Sequence, residues 1–311
     1  MLHAHHQQVA PNLAPYVSEQ KSWAQRRRQY ADAMSGDWFG FIAQSGTSDV
    51  GYLICKKRPM DWEAAFDLPP MLWELLTLFV HPKYRGAGIG SAMLDAMDET
   101  IASTKISTKL VGVIPDNHRA VALYQARGYI PTWLIMTRFK RQLVATETRQ
   151  DVSIVGASID SVDTLQPLWT TLHHHHQDVS PHLGPWVDDV RAWSVIRKLL
   201  VNSAADGLLF VAHSGGTPIG LASAAIYNAD ELGYADTWLT GNRIAETKFL
   251  VVADEARGQG VGATLLRTVD CELARRGTHD HLIGVIEPNL DAIRFYQSKE
   301  FRPAWLELVQ A

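Results

Sequence analysis

Cysteine is scarce: Cys55 and Cys271 are the only two, and they form neither a CxxC pair nor a framework of bridges. That excludes a disulfide scaffold and a Cys-based metal or redox site, and makes a reducing cytoplasm the expected compartment. Long apolar runs are missing too. No stretch approaches a membrane span, and the first thirty residues, with His3, His5 and His6, lack the apolar centre of a signal peptide. Nor does one charge dominate. The 29 Lys and Arg against 33 Asp and Glu leave a net charge of −4, which implies neither a nucleic-acid nor a membrane partner. What remains is the composition of an ordinary soluble protein, 46% apolar, over 311 residues, a length that suits two domains.

The chain repeats itself, and the repeat is long. LHAHHQQVAPNLAPYV (2–17) aligns with LHHHHQDVSPHLGPWV (172–187), and Trp23 with Trp193, at an offset of 170. FIAQSGTSDVG (41–51) aligns with FVAHSGGTPIG (210–220) at 169. RGAGIG (85–90) aligns with RGQGVG (257–262), Asn117 with Asn289 and Tyr124 with Tyr296, all at 172. Each copy reads as a polar, histidine-bearing segment, a helix containing the Trp, a hairpin, and an apolar strand, LLTLFV (75–80) or TKFLVV (247–252). A glycine turn then opens a helix, about 88–104 or 260–276, and a further strand follows, LVGVIP (110–115) or HLIGVIE (281–287). Asn117 or Asn289 caps a second helix, and TWLIMTRF (132–139) or AWLELV (304–309) closes the copy. The second copy also has DVSIVGAS (151–158) and a helix-like stretch ahead of its histidines, which the first lacks; either the first domain has no opening strand or its assigned start lies within a longer reading frame. The polar stretch 141–150 is the expected linker.

A glycine-rich turn between strand and helix presents backbone N–H groups and the positive helix end to an anion. A single such turn also serves merely to pack a helix on a sheet, whereas two in the same context point to a phosphate-bearing ligand. The turn ends in Gly90-Ser91 or Gly262-Ala263 without a lysine, which excludes a P-loop. A dinucleotide fold places an acidic residue about twenty residues further on to hold a ribose. Asp116 and Glu287 lie near that place but lead into a short Asn-capped helix, so this reading is the weaker alternative.

These residues resemble the GNAT superfamily of acyl-CoA transferases, in both halves of the chain. Its pyrophosphate motif, Gln/Arg-x-x-Gly-x-Gly/Ala, is met by Arg85, Gly88 and Gly90 and by Arg257, Gly260 and Gly262. Its later signature, Asn-x-x-Ala-x-x-Leu/Phe-Tyr, is met by Asn117, Ala120, Leu123 and Tyr124 and by Asn289, Ala292, Phe295 and Tyr296. One departure is Glu300-Phe301, where the first copy has the usual glycine in Gly128-Tyr129. The resemblance implies an α/β (α+β) fold of two tandem domains, each with a mixed, largely antiparallel sheet flanked by helices and splayed between its fourth and fifth strands. The domains expected are 1–143, lacking the opening strand and most of the first helix, and 148–311, complete. It also implies acetyl-CoA as co-substrate. In the first half the residues expected to hold it are Phe79, Val80, Arg85, Gly86, Ala87, Gly88, Ile89, Gly90, Ser91 and Asn117. In the second they are Val251, Val252, Arg257, Gly258, Gln259, Gly260, Val261, Gly262, Ala263 and Asn289.

Acyl transfer from a thioester to an amine needs a neutral amine, a polarised carbonyl and a proton for the leaving thiolate. The resemblance assigns that proton to Tyr124 and Tyr296, seven residues after the capping Asn and two turns along the same helix face, a spacing that equally suits a core tyrosine. Glu74 and Glu246, eleven residues before the motif arginine, hold the spacing of the base glutamate in histone-acetylating members; a strand-edge charge is the alternative. The family lines its acceptor pocket with the segment between its first two helices. Hence His5, His6, His175 and His176, with Trp23 and Trp193, are the expected acceptor contacts, a solvated helix end being the other reading. No HExxH or Cys cluster supports a metal.

The expected function is acetyl transfer from acetyl-CoA to a primary amine of a small molecule within a ternary complex, with Tyr as general acid and Glu, His or water as base. The alternative is an acyl-CoA-binding structural or regulatory module with one or both halves silent. Acceptor choice is expected to depend on loops such as 57–72, and the sequence carries no signal for an oligomeric state.

Overall fold

The structure is a computed structural model that describes residues 2–11, 13, 15–60, 65–139, 153–232 and 237–311. The expected linker at 141–150 lies outside the described residues. The first half runs α1 (Leu2–Val9), α2 (Glu19–Met34), β1 (Trp38–Ser45), β2 (Ser48–Pro59), β3 (Met71–Val80), α3 (Ile89–Ala102), β4 (Lys109–Val113), α4 (His118–Gln125) and β5 (Ile130–Arg138). The second opens with β6 (Ser153–Gly156), followed by a 3-10 turn at Ile159–Leu165 that, like β6, has no counterpart among the described residues of the first half. It continues with α5 (Gln166–Val179), α6 (Asp189–Ala205), β7 (Leu209–Ser214), β8 (Thr217–Asn228), β9 (Arg243–Val252), α7 (Val261–Arg275), β10 (Asp280–Ile286), α8 (Leu290–Ser298) and β11 (Arg302–Gln310). The histidine-bearing segments, read from sequence as polar stretches ahead of a helix, are themselves helical, as α1 and α5.

The two expected sheets are joined into one sheet of eleven strands, in the order β1-β2-β3-β4-β11-β5-β10-β9-β8-β7-β6. The two halves exchange their last strands. β11, from the second half, pairs antiparallel with β4 of the first, Leu306 opposite Val113 and Gln310 opposite Lys109. β5, from the first half, pairs antiparallel with β10 of the second, His281 opposite Arg138 and Ile286 opposite Trp133. The exchanged strands pair with each other at the centre. One buried apolar cluster follows from this, in which Leu134 and Met136 of β5 and Leu306 and Leu308 of β11 join Leu75, Met97 and Tyr124 of the first half to Leu266, Ile283 and Tyr296 of the second.

Two loop contacts repeat the exchange. The β2–β3 loop of the first half reaches the connection between α5 and α6, where Asp67 N–H donates to Pro185 O and Val187 N–H to Ala65 O, 2.8 and 3.1 Å. Reciprocally, Val17 N–H donates to Thr237 O and Leu239 N–H to Pro15 O. The α1–α2 and α5–α6 connections are therefore each bordered by a loop of the opposite half.

Candidate active site

In each half the parallel strand pair parts midway. β3 and β4 pair from Trp73 opposite Lys109 to Leu75 opposite Val111, and β9 and β10 from Ile244 opposite Asp280 to Thr247 opposite Ile283. Beyond these points the strands diverge. A bulge marks each departure: the register against the neighbouring strand slips at Leu76 in β3 and at Lys248 in β9. An extra residue bends its strand and sharpens the local twist. It leaves the main chain of 76–80 and 248–252 without a strand partner on the splayed side.

The glycine turn follows at the open end. Gly86 and Gly88 have φ of 81° and 79°, and Gly258 and Gly260 have 74° and 84°, a region that side chains resist. The motif arginine closes the turn onto its strand: Arg85 Nε donates to Val80 O at 3.0 Å and Arg257 Nε to Val252 O at 3.4 Å. A Cβ added at Gly86, Gly88 or Gly258 would meet nothing within 4 Å, so open space lies over the turns that lead into α3 and α7. That geometry fits a pyrophosphate, which needs N–H groups and close approach.

Asn117 and Asn289 cap α4 and α8, accepting from Ala120 N–H at 3.4 Å and Ala292 N–H at 3.0 Å. Their amide nitrogens face His5 Nε2 at 3.4 Å and His175 Nε2 at 3.2 Å, so the same Asn–His pair is built twice. Since each Asn oxygen is used by the cap, its Nδ2 donates and the imidazole accepts. Burial, aided by Arg85, lowers the pKa of His5. Burial together with neighbouring Arg26 and histidines pushes His6 down to about 3; burial with His175 and His173 does the same to His176. Both rings are therefore neutral at physiological pH. Unfolding returns them to an ordinary pKa of about 6.5, so their contribution to stability is complete above that value and is lost as pH falls toward about 3. Urea midpoints measured down this range are expected to fall accordingly. His173 has a structural role, with Nε2 at 3.0 Å from Val187 O and its ring stacked 4.9 Å from Trp169.

Tyr124 and Tyr296 are 5% and 7% exposed, the first packed on Tyr129 and the second on Phe301. Burial raises both phenol pKa values, so each holds its proton at neutral pH. Glu74 lies between two cations, Lys56 Nζ at 3.3 Å and Arg58 Nε at 3.0 Å, while Glu246 pairs with Lys248 Nζ at 2.9 Å. Burial pulls the Lys248 pKa down, but Glu246 and Tyr227 outweigh it and hold the ammonium above its ordinary range. Both glutamates belong to the still-paired part of their strands, opposite Leu110 and Leu282.

The two tryptophans differ. Trp193, 8% exposed, is buried with Trp169, Ile196, Leu221 and Val251. Trp23 is 57% exposed and lines a cavity of about 510 Å³ with Arg26, Tyr52 and Phe79, the counterparts of Ile196, Leu221 and Val251 in the repeat. In the second half Val162, Leu165 and Trp169, which precede the repeated segment, pack against that patch.

A feature not foreseen is that each splay has an indole from the opposite half. Trp133 of β5 meets the His176 ring edge-on at 6.0 Å. Trp305 of β11 lies so close over Gly112 of β4 that a Cβ there would fall 2.0 Å from its Nε1.

The sequence model of the Acetyltransferase (GNAT) family matches residues 8–129 and 168–301. The chain belongs to this family. Both matched segments stop just before the exchanged strands β5 and β11. GNAT membership assigns the chain to acetyl transfer in general terms. Among solved structures it is similar to the GCN5-related glucosamine N-acetyltransferase region of a fungal multi-domain GH3 β-N-acetylglucosaminidase, with a TM-score of 0.56 and 16% identity over 99% of this chain and 36% of that one. This chain thus spans about a third of the fungal protein's length. A GNAT acetyltransferase from Colwellia psychrerythraea has a TM-score of 0.53 and 13% identity, covering 94% of this chain and 97% of that one. A GCN5-related N-acetyltransferase from Sphaerobacter thermophilus has a TM-score of 0.52 and 16% identity, covering 84% and 80%. At these identities the likeness is one of fold. No curated protein matches the chain significantly. No described helix is long and apolar enough to cross a membrane, and among the described residues no three His, Cys, Asp or Glu side chains group around a common metal position.

Proposed function

We propose that the protein transfers an acetyl group from acetyl-CoA to a primary amine of a small molecule, by direct attack within a ternary complex. The observation that carries this reading is the doubled set of splay, glycine turn and Asn–Tyr helix, with its parts at the open ends of the same strands. The units proposed are 1–143 and 148–311, each finished by the other's last strand.

The turns 85–91 and 257–263 hold the pyrophosphate through backbone N–H groups, and the unpaired main chain at Phe79–Val80 and Val251–Val252 holds the pantetheine arm. Asn117 and Asn289 fix the adjacent imidazoles while capping their helices. Tyr124 or Tyr296 supplies a proton to the departing thiolate. The amine's proton passes to a glutamate or histidine of the site or to water; of the two strand glutamates, Glu74 faces two cations and Glu246 one. His5, His6, His175 and His176 border the acceptor, and Trp23, which lines the cavity, is better placed than the buried Trp193.

The purified protein is expected to release CoA thiol from acetyl-CoA only when a suitable amine from a panel is added. Thermal protection by acetyl-CoA without amine-dependent release would instead support an acyl-CoA-binding module. Absence of both protection and release would overturn the two readings together.

A further inference from the structure

The halves differ at the open ends of β4 and β10. The first reads Ile114-Pro115-Asp116-Asn117 and the second Ile286-Glu287-Pro288-Asn289, so Glu287 stands where the first half has proline. Its backbone is held by the exchanged strand: Glu287 N–H donates to Thr132 O at 2.9 Å, one step beyond the Ile286–Trp133 pair that ends the β5–β10 ladder.

Three parts of the second site meet there. Asn289, two residues on, grips His175 of α5 and starts the helix that bears Tyr296. Trp133, next to Thr132, is in ring contact with His176. The turn after α5 contributes His182. Glu287 is half-buried where these elements meet, and the charged group that acts on it is His182. Burial lifts its carboxyl pKa, while His182 pulls the other way. Glu246, by contrast, is tied to Lys248 and lies in the paired part of β9, behind the point where the splay opens.

We propose that Glu287 is the proton acceptor for the attacking amine in the second half, seated there by the first half's exchanged strand, and that the first half, with Pro115 here and Asp116 one residue on, has no carboxylate at this position. The inference rests on the acetyl-transfer reading. As the amine nitrogen bonds to the thioester carbon and the C–S bond breaks, the nitrogen's proton passes to a Glu287 carboxylate oxygen. The thiolate takes the Tyr296 hydroxyl proton, and Tyr296 recovers one through water as Glu287 releases its own. Atoms and charge balance without a further reactant.

The test uses the full-length chain and the best amine from the panel. Glu287→Gln is expected to lower kcat at least about tenfold at neutral pH with the acetyl-CoA KM unchanged, since base catalysis contributes about a hundredfold or more. It should also abolish the wild-type fall of kcat/KM on acidification that this carboxyl causes, and Glu287→Asp should restore part of both. Unaltered kcat and pH profile in Glu287→Gln would overturn the proposal, as would turnover that survives Tyr296→Phe and disappears in Tyr124→Phe. Failure of the wild type with every amine would instead bring down the acetyl-transfer reading, before any variant is made.

Discussion

Arg138→Ala is expected to cost the folded state about 3–5 kcal/mol, the penalty for leaving a buried charge without its partner. Arg138 ends β5, and its guanidinium is buried beside the carboxylate of Asp270 on α7, 6% exposed and hydrogen-bonded to it. Arg138 also donates to Lys299 O at 3.0 Å and lies 4.2 Å over the Phe301 ring. His281 completes the cluster. Its Nδ1 is 3.0 Å from Asp270 and its Nε2 is 2.7 Å from Thr247 Oγ1. With the proton on Nδ1 it donates to Asp270 and accepts from Thr247, and burial, which lowers the His281 pKa despite Asp270, keeps the ring neutral. The cluster fastens the first half's last strand inside the second half. A urea transition shifted to lower concentration at constant slope checks the prediction. The double variant Arg138→Met, Asp270→Leu should recover most of the loss, because an apolar pair of similar volume avoids the desolvation cost. A transition unmoved in Arg138→Ala would show that Asp270 finds other compensation.

Tyr296→Phe is expected to lower kcat by about a hundredfold to ten-thousandfold, the range for loss of a positioned proton donor. Removing one oxygen leaves the ring packed on Phe301, so stability should change little. The equivalent Tyr124→Phe should leave kcat within about twofold if the proton acceptor is in the second half alone, a difference under 1 kcal/mol in barrier height. Steady-state kinetics on both variants, with acetyl-CoA KM as the control for donor binding, decide the matter. Equal losses in the two would mean that both halves turn over.

Much of this arrangement is legible in the residues. LLTLFV (75–80) lies within β3, the turn glycines have the positive φ their type suggests, and the helices expected at 88–104 and 260–276 are Ile89–Ala102 and Val261–Arg275. These features are local, since apolar period, turn chemistry and capping are set by neighbours along the chain. The exchange of β5 and β11 is not local. Alternation in TWLIMTRF and AWLELV says which residues face the core but not which strand lies alongside. Because the halves are related by repetition, each last strand suits the edge in its own half and the equivalent edge in the other. Glu287 was hidden for the same reason. As sequence it was an acidic residue near a ribose-binding position, and only the partner strand at Thr132 and the imidazoles of α5 give it another setting. Glu74 and Glu246 were visible by spacing, while the lysines and arginine that face them come from strand register and the β9 bulge.

The central strand order has a consequence for synthesis. A ribosome that has released residues 1–139 has produced β4 and β5, but β11, which lies between them, begins only at Arg302. Domains ordinarily fold as units from the N-terminus as they emerge. Here the first half emerges before the strand that lies beside β4 in the finished sheet has been made. A chain cut shortly before Arg302 would strip β4 and β5 together of the strand they share.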